Sequence, residues 1–105
     1  EKHPSVASVT YPGLASSPYR ERARRITPKG PGALFTVQLK GGYEACTRFV
    51  AALKLFSHVA NLGDARSLVI HSASTTQRQM LRLSIGIEGT EDLIADLDQA
   101  LNAAN

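Results

Sequence analysis

Residues 81–87 alternate between large apolar side chains and small or charged ones. Leu81, Leu83, Ile85 and Ile87 occupy one set of positions, and Arg82, Ser84 and Gly86 occupy the other. Successive side chains of a β-strand point to opposite faces of a sheet, so the pattern predicts a strand with one face on a core. The chain is therefore expected to build a sheet that is covered on its apolar side.

The rest of the chain supplies further strands and helices for that sheet. Strands are predicted at residues 6–11, 33–40 and 67–71, and helices at residues 19–25, 43–58 and from residue 90 onwards. Glycine and proline pairs such as Pro12-Gly13 separate these segments. The order of elements predicts an α+β domain, in which helices cover one face of a small antiparallel sheet.

Two of the predicted helices carry an apolar stripe. The stripe of the second helix consists of Cys46, Phe49, Val50, Leu53 and Phe56, and that of the third of Leu93, Ile94, Leu97 and Leu101. Thr90 is the expected cap of the third helix, and acidic residues fill its first turn. We expect both stripes to pack on the sheet.

Size and composition limit the class of protein. A chain of 105 residues corresponds to a single domain, and no apolar run reaches the roughly 18 residues that span a membrane. Cys46 is the one cysteine, which excludes an internal disulfide and is typical of a reducing cytoplasm. Its place on an apolar stripe favours a packing role over a nucleophilic one. We expect a soluble, cytoplasmic protein.

Common catalytic and metal-binding motifs are missing from the sequence. His3, His58 and His71 lack the spacing of zinc ligands, so no metal site is expected. The glycines at 30 and 32 are not followed by the Lys-Ser or Lys-Thr of a phosphate-binding loop. No serine, histidine and aspartate form an acyl-transfer motif.

Basic residues concentrate in the first half of the chain. Up to Lys54 there are nine lysines and arginines against three acidic residues. The cluster Arg20, Arg22, Arg24 and Arg25 leaves open a basic module that binds nucleic acid. A solvated or interdomain helix is the more common explanation of such a cluster, because Tyr19 is its one aromatic neighbour.

Arg82 stands out on the strand at residues 81–87. It lies on the face opposite the apolar set, where its strand neighbours are Ser84 and Gly86. Small neighbours leave room for a ligand or a second domain, and a guanidinium can bind a carboxylate through two parallel hydrogen bonds. A solvated arginine on an open sheet face is the alternative that the pattern alone also allows.

Five segments together resemble one enzyme family. They read HPSVASVTYPGL from His3, LKGGYEA from Leu39, LKLFSHVANLGDARSL from Leu53, HSASTT from His71 and RLSIGIE from Arg82. In this order they resemble the carboxyl-terminal domain of the Cys/Met metabolism enzymes that depend on pyridoxal 5'-phosphate, which have fold type I. Within that family the chain is most similar to the O-acetylhomoserine sulfhydrylases. Cystathionine γ-synthase, cystathionine γ-lyase and methionine γ-lyase are the alternatives.

The resemblance implies a function and a set of site residues. The enzyme would exchange the acetate of O-acetyl-L-homoserine for sulfide or a thiol, in the methionine branch of amino-acid biosynthesis. The arginine that holds the substrate carboxylate in this family corresponds to Arg82. Asn61 and Thr76 correspond to residues beside the same carboxylate. The residues that bind pyridoxal phosphate and perform catalysis in the family do not map onto this chain.

The same resemblance predicts how the chain relates to a whole enzyme. Residues 1–105 would form a single small carboxyl-terminal domain, and the large cofactor-binding domain would lie outside this chain. The first residue is Glu1, which fits a fragment. We expect the chain alone to be inactive and its parent to be a homotetramer. The family has a longer connection between the positions of Thr76 and Arg82 than the five residues found here.

Overall fold

The computed structural model describes residues 1–58, 66–71 and 80–104, and of His58 its backbone. The chain forms β1 (Val6–Thr10), α1 (Arg20–Ile26), β2 (Leu34–Leu39), α2 (Gly42–Ala52), β3 (Ser57–His58), β4 (Leu68–His71), β5 (Met80–Ser84) and α3 (Thr90–Ala103). Gly42 begins α2 with a φ of 70°, a conformation that a side chain would disfavour.

The described strands form a sheet in the order β1-β2-β5-β4-β3. Neighbouring strands are antiparallel except β3 and β4, which are parallel. Strand β5 is central, so its residues have a partner on either side. Arg82, for example, lies opposite Thr36 of β2 and Ile70 of β4.

The core lies between one face of the sheet and helices α2 and α3. Leu81 and Leu83 of β5 are fully buried there, together with Phe49 of α2 and Ala100 of α3. Other members of this cluster are Val37, Leu39, Ala45, Cys46, Val69 and Leu93. The alternation of residues 81–84 places Arg82 and Ser84 on the opposite face.

The predicted architecture is confirmed: an α+β domain with a mainly antiparallel sheet and helices on one face. Two differences concern the helices. Helix α1 has no buried residue, so the covering layer consists of α2 and α3. Helix α2 ends at Ala52, not near His58, and the chain then forms the short strand β3.

The early end of α2 has a tertiary cause. Leu53 adopts an extended conformation with a ψ of 137°. The next two amides, of Lys54 and Leu55, donate to the carboxylate of Asp96 on α3 instead of to helix carbonyls. The predicted continuation to residue 58 was therefore wrong, although Phe56 is buried as its place in the stripe suggested.

Two details of the predicted apolar faces and the predicted cap of α3 also need correction. Ile87 is 86% exposed and Ile94 is 60% exposed, so neither belongs to the core. Regular pairing of β5 ends at Ser84, which releases Ile87 from the alternation. Thr90 is the first residue of α3, and Gly89 occupies the cap position without a side-chain hydrogen bond.

Candidate functional site

Arg82 lies in the middle of the sheet face opposite α2 and α3. That face is partly covered, because Leu68 and Ser84, which also lie on it, are buried. Its partners across the strands are Thr36 and Ile70, and Thr36 in turn lies opposite Thr10 of β1. Residues paired in this way share a face, so the guanidinium rises from a row of short or uncharged side chains. The small strand neighbours Ser84 and Gly86 are thus joined by uncharged neighbours across the sheet.

The Arg82 side chain is half-buried. No hydrogen bond or ion pair joins it to another residue of the described ranges. Burying a cation without a partner costs free energy, so such a guanidinium is well suited to bind an anion. A carboxylate could form two parallel charge-assisted hydrogen bonds with it.

The other two predicted site residues lie outside the described ranges. Asn61 belongs to the segment between β3 and β4, and Thr76 to the segment between β4 and β5. Both segments adjoin β4, the strand next to Arg82. The structure thus describes Arg82 alone among the three.

A hydrogen-bonded cluster near the end of β5 was not anticipated from the sequence. The Ser67 amide donates to Oε2 of Glu88 at 2.8 Å, and the Ser67 hydroxyl donates to Oε1 at 2.7 Å. The amide of Gly86 donates to the Ser67 hydroxyl at 2.9 Å. Hydrogen bonds from the amide and the hydroxyl of Ser67 lower the pKa of Glu88. Residues 67 and 88 show no local pattern that predicts this contact.

Asp96 is a second charged residue that the sequence did not single out. It is buried on the inner side of α3, where it accepts hydrogen bonds from Lys54, Leu55 and Gln99. Burial acts to raise the pKa of Asp96, but hydrogen bonds from the amides of Leu55 and Lys54 and from Gln99 outweigh it and lower the pKa. Lys54 and Leu55 directly follow α2, so these hydrogen bonds fasten the chain after α2 to α3, which indicates a structural role.

The basic cluster of the first half lies on and beside α1. Arg20 and Arg24 line an open cleft of about 340 Å³ next to the turns at Pro12 and Pro28. Nη1 of Arg24 lies 4.0 Å from Oε1 of Glu21, and both side chains are exposed. This is a solvated arrangement within the described ranges, and no strand of the sheet takes part in it.

The described residues do not fit pyridoxal phosphate. A Schiff-base lysine needs a sheltered amine beside a phosphate site, and all four lysines of the chain are exposed. Lys54 borders a cleft that Asp92 and Asp96 also line, and their negative charge opposes a phosphate. No step of a reaction can therefore be assigned to the cofactor on the residues of this chain.

Cys46 is a member of the hydrophobic core. Cys46 is fully buried, and this burial raises the pKa of its thiol to about 11 despite a hydrogen bond with the backbone of Leu39. Its packing role is confirmed. Within residues 1–58, 66–71 and 80–104, no three His, Cys, Asp or Glu side chains form a group that could hold a metal ion. Nor does that part of the chain contain a helix long and apolar enough to span a membrane.

Comparison with known proteins gives consistent matches. O-acetyl-L-homoserine sulfhydrylase 1 of Thermus thermophilus is 48% identical over 114 residues, which cover 95% of this chain and 27% of that protein. L-methionine gamma-lyase of Pseudomonas putida is 41% identical, with coverage of 98% and 29%. The crystal structure of cystathionine gamma synthase from Xanthomonas oryzae pv. oryzae in complex with cystathionine superposes with a TM-score of 0.90 at 38% identity, with coverage of 98% and 30%.

The chain thus spans under a third of the length of these relatives. The alignment with the Thermus protein extends over 114 positions, more than the 105 residues of the chain, so it contains gaps on the side of this chain. The family model of the Cys/Met metabolism PLP-dependent enzymes matches residues 1–102. Nearly the whole chain is included in that match, and so this chain belongs to the Cys/Met metabolism PLP-dependent enzymes.

Proposed function

We propose that this chain is the carboxyl-terminal domain of an O-acetyl-L-homoserine sulfhydrylase and binds the carboxylate of its amino-acid substrate. The observation that carries the proposal is the half-buried Arg82 on the sheet face opposite α2 and α3, without an anionic partner in the described ranges. Asn61 and Thr76 are proposed to lie beside the same carboxylate.

Arg82 is suited to this task because of its position on the central strand. A residue of β5 is held by hydrogen-bonded strands on both sides, so its backbone has little freedom. The planar guanidinium fixes the direction of a bound carboxylate as well as its position. Holding one end of a substrate in this way orients the reacting bonds at the other end, which can contribute several kcal/mol to catalysis.

The proposal divides the enzyme between two domains. Pyridoxal phosphate would be bound by a large domain of the same polypeptide, which would complete the pocket from the side of the sheet face opposite α2 and α3. The chain by itself would then be inactive. We further propose that the full-length protein is a homotetramer in the cytoplasm.

Sulfhydrylase activity is preferred because the Thermus sulfhydrylase is 48% identical to this chain, against 41% for the Pseudomonas lyase. The full-length protein would replace the acetate of O-acetyl-L-homoserine by sulfide or a small thiol, giving homocysteine or its thioether. The second candidate is a cystathionine γ-synthase, which the TM-score of 0.90 with the Xanthomonas enzyme favours. A γ-lyase is the third.

The test uses the full-length protein that carries this chain. Homocysteine formation from O-acetyl-L-homoserine and sulfide is compared with cystathionine formation from the same ester and cysteine, with release of acetate, and with elimination from methionine. Arg82→Leu is expected to lower kcat/KM by about 100-fold or more, because two charge-assisted hydrogen bonds are lost. Arg82→Lys is expected to recover little, because an ammonium cannot form the paired contact.

Arg22→Leu is the matched control, since Arg22 is exposed on α1 and far along the chain from β5. Binding of L-2-aminobutyrate and of propylamine, which lacks the carboxylate, gives a second measurement. Arg82→Leu should weaken the binding of L-2-aminobutyrate and leave the binding of propylamine unchanged. Equal turnover in Arg82→Leu and Arg22→Leu proteins would contradict the proposed role of Arg82.

A further inference from the structure

Three hydrogen bonds join Ser67, Gly86 and Glu88 beside the end of strand β5. Both carboxylate oxygens of Glu88 accept from Ser67, one from its amide and one from its hydroxyl, and the hydroxyl oxygen accepts from the amide of Gly86. We name this cluster the Ser67–Glu88 latch. Ser67 is 0% exposed, so the donors are removed from water and depend on these partners.

The latch closes the pair of strands that carries Arg82. Leu68 and Ser84 form the last Cα pair between β4 and β5, and Ser67 and Gly86 lie just beyond it. Arg82 is opposite Ile70, two residues into the same ladder. A shift of one residue in this pairing would turn the Arg82 side chain to the other face. The latch therefore lies where the register of Arg82 can be fixed.

The latch also joins the two parts of the chain that carry proposed carboxylate contacts. Ser67 is the last residue of the segment between β3 and β4, to which Asn61 also belongs, and Glu88 follows the strand that contains Arg82. Its hydrogen bonds connect these segments through side chains, in addition to the backbone ladder. Two separate contacts to one ligand need such a connection, because misplacement by about 1 Å can cost two orders of magnitude in rate.

An ionised carboxylate matches the donors around residue 88. Two donors from Ser67 converge on the two oxygens, and a carboxylate group offers an acceptor to each. A glutamine amide has the same shape but turns an NH₂ group towards one of the donors. With glutamine the Ser67 hydroxyl must accept instead of donate, and both contacts lose the assistance of the charge. Glu88→Gln therefore weakens the cluster without changing side-chain volume.

We propose that Glu88 is a positioning residue, which acts through Ser67 to hold β4 and β5 in the register that directs Arg82 at the substrate carboxylate. The inference rests on the proposed function of Arg82. It assigns to Glu88 no contact with the substrate or the cofactor. Its effect is on the placement of one guanidinium.

The experiment measures binding of L-2-aminobutyrate and of propylamine to the full-length holoenzyme by titration calorimetry. Glu88→Gln and Ser67→Ala are each expected to weaken the binding of L-2-aminobutyrate by about tenfold, because Arg82 is misplaced. The binding of propylamine should stay unchanged. Glu88→Asp keeps two acceptor oxygens and should recover part of the loss. Glu91→Gln, at an exposed acid in the first turn of α3, is the matched control.

Two results would contradict the proposed role of Glu88. A similar loss for both ligands would mean that the latch supports the fold in general, and unchanged binding of both would mean that it does not position Arg82. Either result overturns the proposal for Glu88. If Glu88→Gln fails to fold, Ser67→Ala carries the test, because it keeps the bond from the Ser67 amide. Failure of Arg82→Leu to separate the two ligands would instead overturn the proposed function itself.

Discussion

The carboxylate of Asp96 on α3 accepts a hydrogen bond of 2.8 Å from the backbone amide of Leu55, just beyond the end of α2. The amide of Lys54 donates to the same carboxylate, and the Gln99 side chain links Asp96 to the last carbonyl of α2 at Ala52. One buried acid thus turns the chain out of α2 and fastens it to α3, in the layer that covers the sheet.

Asp96→Asn should destabilise the protein by about 2–3 kcal/mol, because an amide group then faces backbone donors and a charge-assisted bond is lost. The measurement is urea unfolding of the full-length protein, followed by circular dichroism. Asp98→Asn is the control, since its side chain is 65% exposed. Equal shifts for the two variants would show that the Asp96 hydrogen bonds contribute little.

The lowered pKa of Asp96 predicts a loss of stability in acid. A carboxyl whose pKa is lower in the folded state than in the unfolded chain stabilises the fold at a pH above 3.8, its ordinary pKa. This contribution is lost as the pH falls through the lowered pKa of the folded state. The free energy of unfolding should therefore decrease from about pH 5 towards pH 3. The Asp96→Asn protein should show a flatter profile over that range. Parallel profiles would contradict the assignment.

Neighbouring residues of α3 should respond very differently to truncation. Leu93 is 5% exposed and packs in the core, whereas Ile94 points outward. Leu93→Ala should cost about 2–5 kcal/mol through lost burial and the cavity it leaves. Ile94→Ala should cost about 0.5 kcal/mol or less. Thermal unfolding of the two variants measures the contrast, and a large effect at Ile94 would reveal that another surface covers it.

Cys46 should resist thiol reagents in the folded protein. Burial keeps reagents away and raises the pKa of the thiol to about 11, so little thiolate forms at pH 8. Iodoacetamide labelling, followed by mass spectrometry of the Cys46 peptide, should show modification after unfolding in guanidinium chloride and almost none before. Rapid labelling of the native protein would indicate an exposed or activated thiol.

The sequence predicted the central features of the fold because they depend on local periodicity. The alternation around Arg82 located β5 and assigned its faces correctly, since a strand pattern of period two specifies both together. The stripe containing Cys46 and Phe49 likewise located the inner side of α2. The family resemblance singled out Arg82, and the sheet then gave that residue small or uncharged neighbours on adjacent strands.

Local sequence pattern did not predict the features that depend on contacts between residues far apart in the chain. Nothing near Leu53 ends α2, because the acceptor that takes the next amides is Asp96, more than forty residues later. Ser67 similarly finds Glu88 through folding, and Ile87 is exposed because β5 pairs no further than Ser84. Periodicity determined which faces are apolar. The tertiary structure decided where elements end and which polar groups meet, because a buried hydrogen bond is made with whatever partner the fold brings within reach.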